Sequence, residues 1–158
     1  MNDVLPSAFN PDTFLDSSVE APFETVRTTV PAKDGYIGSI DDIKMRVLDT
    51  KGGPRVVIDI FWKIHDDLLA QQLNMPNGPI VRQNIFVDLD ENGKLAKGVN
   101  QNVLLGQVRD ACNQNQPGAW APRMLIGAGP CRLKVSERVD ERNVAIKYND
   151  VDRVARMS

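Results

Sequence analysis

The sequence predicts one mainly β domain that carries a single helix and follows an extended N-terminal arm. From Gly35 onward, apolar and polar residues alternate in five separate segments, and this period of two is typical of half-buried strands. Only residues 101–115 repeat apolar side chains at helical spacing. Residues 1–33 contain four prolines and no sustained period. We therefore expect an extended arm at 1–33 and a β domain at 34–158.

The first three strands are separated by breaks that are rich in Gly and Pro. The segment YIGSIDDIKMRVL ends at TKGG, and RVVIDIFWKI ends at a long loop over residues 65–79. The third segment, IVRQNIFVDLD, ends at an Asn92-Gly93 turn, because Gly adopts positive φ without strain. The three predicted strands cover residues 36–48, 55–64 and 80–90.

The helix and the last two strands complete the order β-β-β-α-β-β. The helix is predicted near 101–114, with Asn100 or Asn102 placed to cap its start and Pro117-Gly118 to end it. The last two strands are predicted at 130–139 and 142–155, the second of them bent near Asn149. This order is that of a small five-stranded OB-like barrel with its helix between strands three and four. An open mixed sheet with one covering helix is the alternative.

Constellations of catalytic or metal-binding residues are not apparent in the sequence. Cys112 and Cys131 lie far apart in the chain at no metal or redox spacing, and His65 is the single histidine, so a triad has no base. There is no Gly-rich phosphate loop. No apolar run approaches roughly 18 residues, and the N-terminus lacks the pattern of a secretory signal. We expect a non-enzymatic protein with no cofactor and no membrane span.

The segment DLDENG, residues 88–93, matches the opening of an EF-hand calcium loop. The match fails at loop position twelve, where calcium requires a bidentate Glu and this chain has Val99. The residues before the loop predict a strand, whereas an EF-hand has a helix there. We therefore interpret the segment as an acidic turn and predict no metal site.

The net charge of −2 conceals an acidic N-terminus. Residues 1–30 hold five acidic residues and one basic residue, a charge of −4, and the remainder holds 18 basic and 16 acidic residues, a charge of +2. Such asymmetry indicates nucleic-acid binding or a regulatory tail.

Strand alternation places two phenylalanines outward beside basic residues. The even positions of the second strand, from Val56 to Ile64, are apolar and form its core face. The opposite faces of the first three strands predict a nucleic-acid site composed of Phe61, Phe86, Arg55, Lys63, Arg82, Lys44 and Arg46, with Tyr36 also outward. Bases stack on exposed aromatic rings, and Lys and Arg follow the phosphates. The alternative is that both phenylalanines are covered by the arm or by a second apolar layer.

Residues 81–125 carry a resemblance to a known group of proteins. The residues that carry this resemblance are Asp88 to Gly93, Gly98-Val99-Asn100, Leu105 to Arg109, Asn115, Pro117-Gly118 and Trp120. This pattern resembles a group of small tailed-phage proteins of unassigned function, which are similar to replication-module proteins suggested to bind single-stranded DNA. The resemblance implies a phage accessory protein in the cytoplasm of the infected bacterial host.

Two functions from different classes follow from these observations. The first is non-specific binding of single-stranded DNA in replication or recombination. The second is a structural virion protein, such as a capsid-surface or cement protein, whose Pro-rich arm docks on neighbouring subunits. Residues 1–33 are the expected contact with phage replication or virion proteins, and the oligomeric state is left open.

Overall fold

The computed structural model describes residues 5–23 and 28–157. Within these residues the chain forms five strands, two α-helices and two short 3-10 turns. The turns lie at Phe14–Asp16 and Pro122–Leu125. In chain order the other elements are β1 (Lys33–Thr50), β2 (Gly53–Ile64), α1 (Asp67–Gln72), β3 (Ile80–Phe86), α2 (Val103–Ala111), β4 (Cys131–Val139) and β5 (Lys147–Arg156).

The five strands form one antiparallel sheet in the order β3-β2-β1-β4-β5. The long strand β1 joins the two halves, since Lys33–Gly38 pair with β4 and Gly38–Thr50 pair with β2. At the junction, a Cβ on Gly38 would lie 2.7 Å from the Leu133 side chain. A residue without a side chain therefore fits best at this point, where β1 pairs with both β2 and β4.

The two outer strands of the sheet, β3 and β5, approach each other. Some of their Cα atoms lie within 8 Å. They are not hydrogen-bonded neighbours in the sheet. The sheet is therefore curved but open between β3 and β5, and it is not closed into a barrel.

The core face predicted for the second strand is confirmed in β2, and alternating burial gives β3 and β4 a core face as well. Trp62, Ile60 and Ile85 have no exposed surface or almost none. Gln83 is the one polar residue on the core face of β3, and it has a hydrogen-bond partner there. Trp62 Nε1–H donates to Gln83 Oε1 at 2.9 Å. Both polar groups are thereby satisfied inside the core, where an unpaired one would be costly.

The prediction that Tyr36 points outward is wrong. Tyr36 is 4 % exposed, and its hydroxyl donates to the Pro31 carbonyl at 2.6 Å. A bulge between Ile40 and Asp42 shifts the register of β1, so even-numbered residues point inward before it and outward after it. Lys44 is exposed and Arg46 is half-buried beyond the bulge, whereas Tyr36 and Ile40 are buried before it.

The helices differ from the sequence prediction in three ways. The predicted loop at 65–79 contains α1, which Asp66 caps by accepting a hydrogen bond from the Leu69 N–H at 3.0 Å. Helix α2 is shorter than predicted. It ends before Asn113, whose φ of 58° supplies the left-handed residue that commonly terminates helices, and Pro117-Gly118 lies beyond. At the start of α2, Asn102 is the N-cap residue, but its side chain bonds elsewhere.

The last strand and the arm are connected through Asn149. Val30 N–H donates to Asn149 Oδ1 at 2.9 Å, and the Asn149 amide donates back to the Val30 carbonyl. The predicted bend in this strand occurs as a bulge at Asp152 rather than at Asn149. The arm residues 5–23 are all exposed, including Phe9, Phe14 and Phe23, rather than docked on the β domain. Residues 1–4 and 24–27, with Asp3, Glu24 and Arg27 of the acidic segment, lie outside the described residues.

Candidate nucleic-acid interface

The outward face of β1, β2 and β3 carries the residues that the sequence predicted for a nucleic-acid site. In the register of β2 and β3, Phe61 lies opposite Arg82 and Val57 lies opposite Phe86. Phe61 is four residues from Val57, so the two phenylalanines are separated by about 14 Å along the strands, at roughly 3.4 Å per residue. They form two separate aromatic positions on one face.

Phe86 is the more accessible of the two rings. It is 41 % exposed at the end of β3. The Arg55 guanidinium lies over the ring, 5.0 Å from its centroid. Arg55 is also 3.6 Å from a carboxylate oxygen of Asp88. The side chain of Arg55 is thus held beside Phe86 by a ring contact and an exposed ion pair, both of which are weak enough to rearrange.

Phe61 is half-buried in the middle of β2. The Lys44 ammonium lies 5.9 Å from its ring centroid. The ring also lines a groove of about 370 Å³ between β3 and β5, together with Arg82 and Asn84. Phe61 is therefore reached from this groove rather than from a flat surface.

Arg46 has a structural partner on the same face. Its Nε–H donates to Asp59 Oδ2 at 2.7 Å, and Nη2–H donates to Oδ1 at 3.3 Å. This hydrogen bonding raises the pKa of Arg46, which keeps the guanidinium charged. Asp59 is only 4 % exposed, although its position in β2 points outward. Arg46 neutralises a buried carboxylate and is consequently the least free of the predicted phosphate contacts.

The remaining predicted cations, Arg82 and Lys63, differ in exposure and in what they contact. Arg82 is exposed on β3, and the structure places it across from Phe61. Lys63 is half-buried, and its aliphatic stem lies against Gly78, where a Cβ would be 3.1 Å from Lys63 Cε. The structure thus brings all seven predicted residues to one side of the sheet, with Asp59 and Asp88 opposing their charge.

Sequence reasoning missed the part of this surface that β4 and β5 supply. Arg138 and Tyr148 line the groove with Phe61, and the Arg138 guanidinium lies 4.9 Å from the Tyr148 ring centroid. Arg138 is held by Asp150 at 2.9 Å, and this hydrogen bond raises its pKa. The predicted barrel implied that its outer strands meet, but no local pattern indicated that β5 would bring Tyr148 to the same groove as Phe61.

The DLDENG segment forms a closed turn whose carboxylates accept hydrogen bonds from backbone N–H groups. Asp90 Oδ1 accepts from the N–H groups of Asn92 and Lys94 at 2.9 and 3.0 Å. Asp88 Oδ2 accepts from the Asn102 N–H at 2.9 Å. In the parts of the chain that the structure describes, no group of three His, Cys, Asp or Glu side chains is arranged to hold a metal ion.

The two cysteines are distant in sequence but adjacent in space. The Sγ atoms of Cys112, at the end of α2, and Cys131, at the start of β4, are 3.7 Å apart. This contact and burial raise the pKa of Cys112. The sequence separation of Cys112 and Cys131 therefore does not indicate their distance in the folded protein. Both thiols are free in this structure.

Comparison of the chain with protein-family models, with curated proteins and with solved structures finds no match. Among residues 5–23 and 28–157, no helix has the length and hydropathy needed to cross a membrane. Function is therefore inferred from the geometry of this outward face.

Proposed function

We propose that the protein binds single-stranded DNA without sequence preference on the outward face of β1, β2 and β3. The observation that carries this proposal is the pairing of rings and cations on adjacent strands. Phe86 has Arg55 at 5.0 Å and Phe61 has Lys44 at 5.9 Å from the ring centroid. A base can stack on each ring or on the guanidinium beside it, and the cations then contact the flanking phosphates.

The seven residues take different roles in this proposal. Phe86, because it is exposed, provides the stronger stacking position, and Phe61 provides a second one at the groove. Arg55, Lys44, Arg82 and Lys63 contact phosphates. Arg46 holds the face together through Asp59 and contributes charge at its edge. Because such contacts read the backbone and the base faces, they give affinity without sequence readout.

We also propose that the sheet is an OB-like, partly open barrel. The strand order, the helix between β3 and β4, and the approach of β5 to β3 support this assignment. Strands two and three of such barrels are a common binding face for oligonucleotides. In the context of the phage resemblance, the protein acts as a non-enzymatic accessory factor of replication or recombination in the cytoplasm of the infected host.

The test is fluorescence anisotropy of a labelled single-stranded oligonucleotide with four variants of the full chain. Phe86→Ala should weaken binding by about 1–3 kcal/mol, the usual loss for one base–aromatic stack. Phe61→Ala should weaken it by less than Phe86→Ala, because the Phe61 ring is half-buried. Arg82→Ala should make the salt dependence shallower by about 0.7 in logarithmic slope. Lys134→Ala, which removes an exposed cation of β4, is the matched control and should bind as the native protein does.

Thermal melting of the same variants separates binding from folding. Phe86→Ala should melt close to the native protein, because Phe86 is 41 % exposed. If the native protein binds no single-stranded oligonucleotide at low salt, the proposal is wrong. If Phe86→Ala and Phe61→Ala melt normally and bind as tightly as the native protein, the stacking roles are wrong.

A structural role in the virion is the second candidate. The observation that favours it is the arm, whose residues 5–23 are all exposed and include three phenylalanines. Exposed apolar side chains in an extended segment are suited to contact a neighbouring subunit. Co-sedimentation of the protein with purified virions, absent for a variant with Phe9, Phe14 and Phe23 replaced by Ser, would support this role.

A further inference from the structure

A large cleft opens on the side of the sheet opposite the proposed DNA site. It has a volume of about 1110 Å³. Its walls are the inward side of the β1–β2 hairpin end, the segment 87–97, helix α2 and the segment 115–126. The floor consists of apolar side chains that include Val56, Ile58, Leu95, Leu105 and Trp120. Such a cleft is large enough to hold several side chains of a peptide.

The rim of this cleft is strongly basic. The basic residues that line it on this side of the sheet are Lys94, Lys97, Arg109 and Arg123. The one acidic lining residue, Asp42, and Lys44 lie at its edge on β1, where Lys44 points to the opposite face. Arg109 lies over the Trp120 ring at 4.1 Å, and its Nη2–H donates to the Gln114 carbonyl. Its Nε is buried and has no hydrogen-bond partner. The cleft thus combines an apolar floor with a net positive rim and one polar atom left unsatisfied.

The hairpin end beside the cleft exposes apolar side chains that the core does not cover. Met45 lines the cleft and is 65 % exposed, and Leu89, also in the lining, is 44 % exposed. This apolar surface extends the cleft and would gain from contact with an apolar partner.

The arm of the same chain has the complementary chemistry. Residues 5–23 contain Asp12, Asp16 and Glu20 and no Lys or Arg. The exposed apolar side chains of this segment are Leu5, Phe9, Phe14, Leu15, Val19 and Phe23. The rings of Phe9 and Phe14 are adjacent, with centroids 5.5 Å apart, and a 3-10 turn at Phe14–Asp16 places an acidic residue beside them.

We propose that the cleft binds the acidic, phenylalanine-bearing arm of a second copy of this chain. Within one molecule the arm is exposed, and the cleft has the opposite charge and a matching apolar floor. Phe9 and Phe14 enter the cleft, and Asp12 and Asp16 face Lys94 and Lys97. A contact between two different surfaces of identical chains is heterologous and produces rings or filaments. This inference supplies the receiving site for the arm contact of the second candidate function and does not depend on DNA binding.

The experiment measures self-association of the full chain by sedimentation velocity over a range of concentrations. The native chain should associate, and a peptide of residues 5–23 should compete and shift it toward the monomer. The double variant Lys94→Glu/Lys97→Glu should weaken association at least about tenfold, because attractive rim charges become repulsive. The matched control is Lys134→Glu, a reversal of one exposed charge on β4 outside the cleft, which should associate as the native chain does.

Exchanging the charges of the arm and the cleft tests the contact more specifically than either variant alone. Asp12→Lys/Asp16→Lys should weaken association to a similar extent, and mixing it with Lys94→Glu/Lys97→Glu should restore a complex between the two variants. The fluorescence of Trp120, which lines the cleft, should change with protein concentration in the native chain, whereas Trp62 in the core should not contribute to the change.

Three outcomes would overturn the proposal. One is a native chain that stays monomeric at every concentration. If the arm variants nevertheless alter Trp120 fluorescence in that monomer, the arm occupies the cleft of its own chain and the proposal of a second copy is wrong. Another is equal association of the Lys94→Glu/Lys97→Glu and Lys134→Glu variants. The third is a Lys94→Glu/Lys97→Glu variant that loses DNA binding but keeps self-association, which would assign the cleft to nucleic acid.

Discussion

Replacement of Asn102 tests how the acidic turn is held in place. Three hydrogen bonds of the Asn102 side chain connect the start of α2 to this turn. Asp88 N–H donates to Asn102 Oδ1 at 2.7 Å, and the Asn102 amide donates to the carbonyls of Asp88 and Ala96, both at 2.9 Å. Asn102 has a φ of 53°, in the left-handed region that Asn tolerates better than most residues. The residue therefore contributes through both its side chain and its backbone.

The expected loss in Asn102→Ala is the sum of these two contributions. Each partly buried hydrogen bond contributes about 0.5–1.5 kcal/mol net, so three contribute about 1.5–4.5 kcal/mol. The left-handed conformation adds about 1 kcal/mol for a residue with a Cβ. We expect Asn102→Ala to lower the free energy of unfolding by about 2.5–5.5 kcal/mol. Asn102→Gly loses the same hydrogen bonds without the conformational cost and should be less destabilised by about 1 kcal/mol.

Urea unfolding at neutral pH, followed by far-UV circular dichroism, provides the measurement. Asn100→Ala is the matched control, because Asn100 also has a positive φ, 61°, but is exposed. It should lose about 1 kcal/mol, the conformational cost alone. If Asn102→Ala were no less stable than Asn100→Ala, the Asn102 hydrogen bonds would not stabilise the turn.

Three further predictions follow from buried and acidic groups. Burial raises the pKa of Tyr36 above its ordinary 10.0, so its contribution to stability is full below that pH and is lost as pH rises through the raised value. Tyr36→Phe should lose about 1 kcal/mol of unfolding free energy at neutral pH, and its stability in urea titrations should fall less at alkaline pH. If the native protein and the variant lost the same stability at alkaline pH, this prediction would be wrong. Ile60→Ala, at a site with 0 % exposure, should lower the unfolding free energy by about 2–5 kcal/mol, and a loss similar to that of Phe86→Ala would show that the faces of β2 are misassigned. Calorimetric titration should detect no micromolar calcium binding at residues 88–99, because Val99 stands where the bidentate ligand is required, and measurable binding would refute the interpretation of the turn.

The local periods of the sequence determined the five strands and their order. Alternation depends only on which face of a strand meets the core, so residues 55–64, 80–90 and 130–139 were each predicted to within a few residues. The same alternation placed Phe61 and Phe86 outward. These inferences needed no knowledge of which strands pair.

Features that depend on pairing and packing were decided only by the tertiary structure. The β1 bulge reverses the faces of its two halves, and only the pairing register reveals it, which is why Tyr36 was assigned to the wrong side. Helix α1 has too few residues to be stable alone and forms because Leu69 and Ala70 are buried.

The groove at Phe61 and the basic cleft, which belong to the two surfaces with functional proposals, could not be predicted from sequence patterns. The groove at Phe61 exists because the curved sheet brings β5 toward β3, and the ion pair of Arg46 with Asp59 depends on the pairing of β1 with β2. The basic cleft gathers residues from positions 42 to 126. Contacts between residues that are distant in sequence arise from packing of the whole chain, and a single sequence contains no local pattern that specifies them.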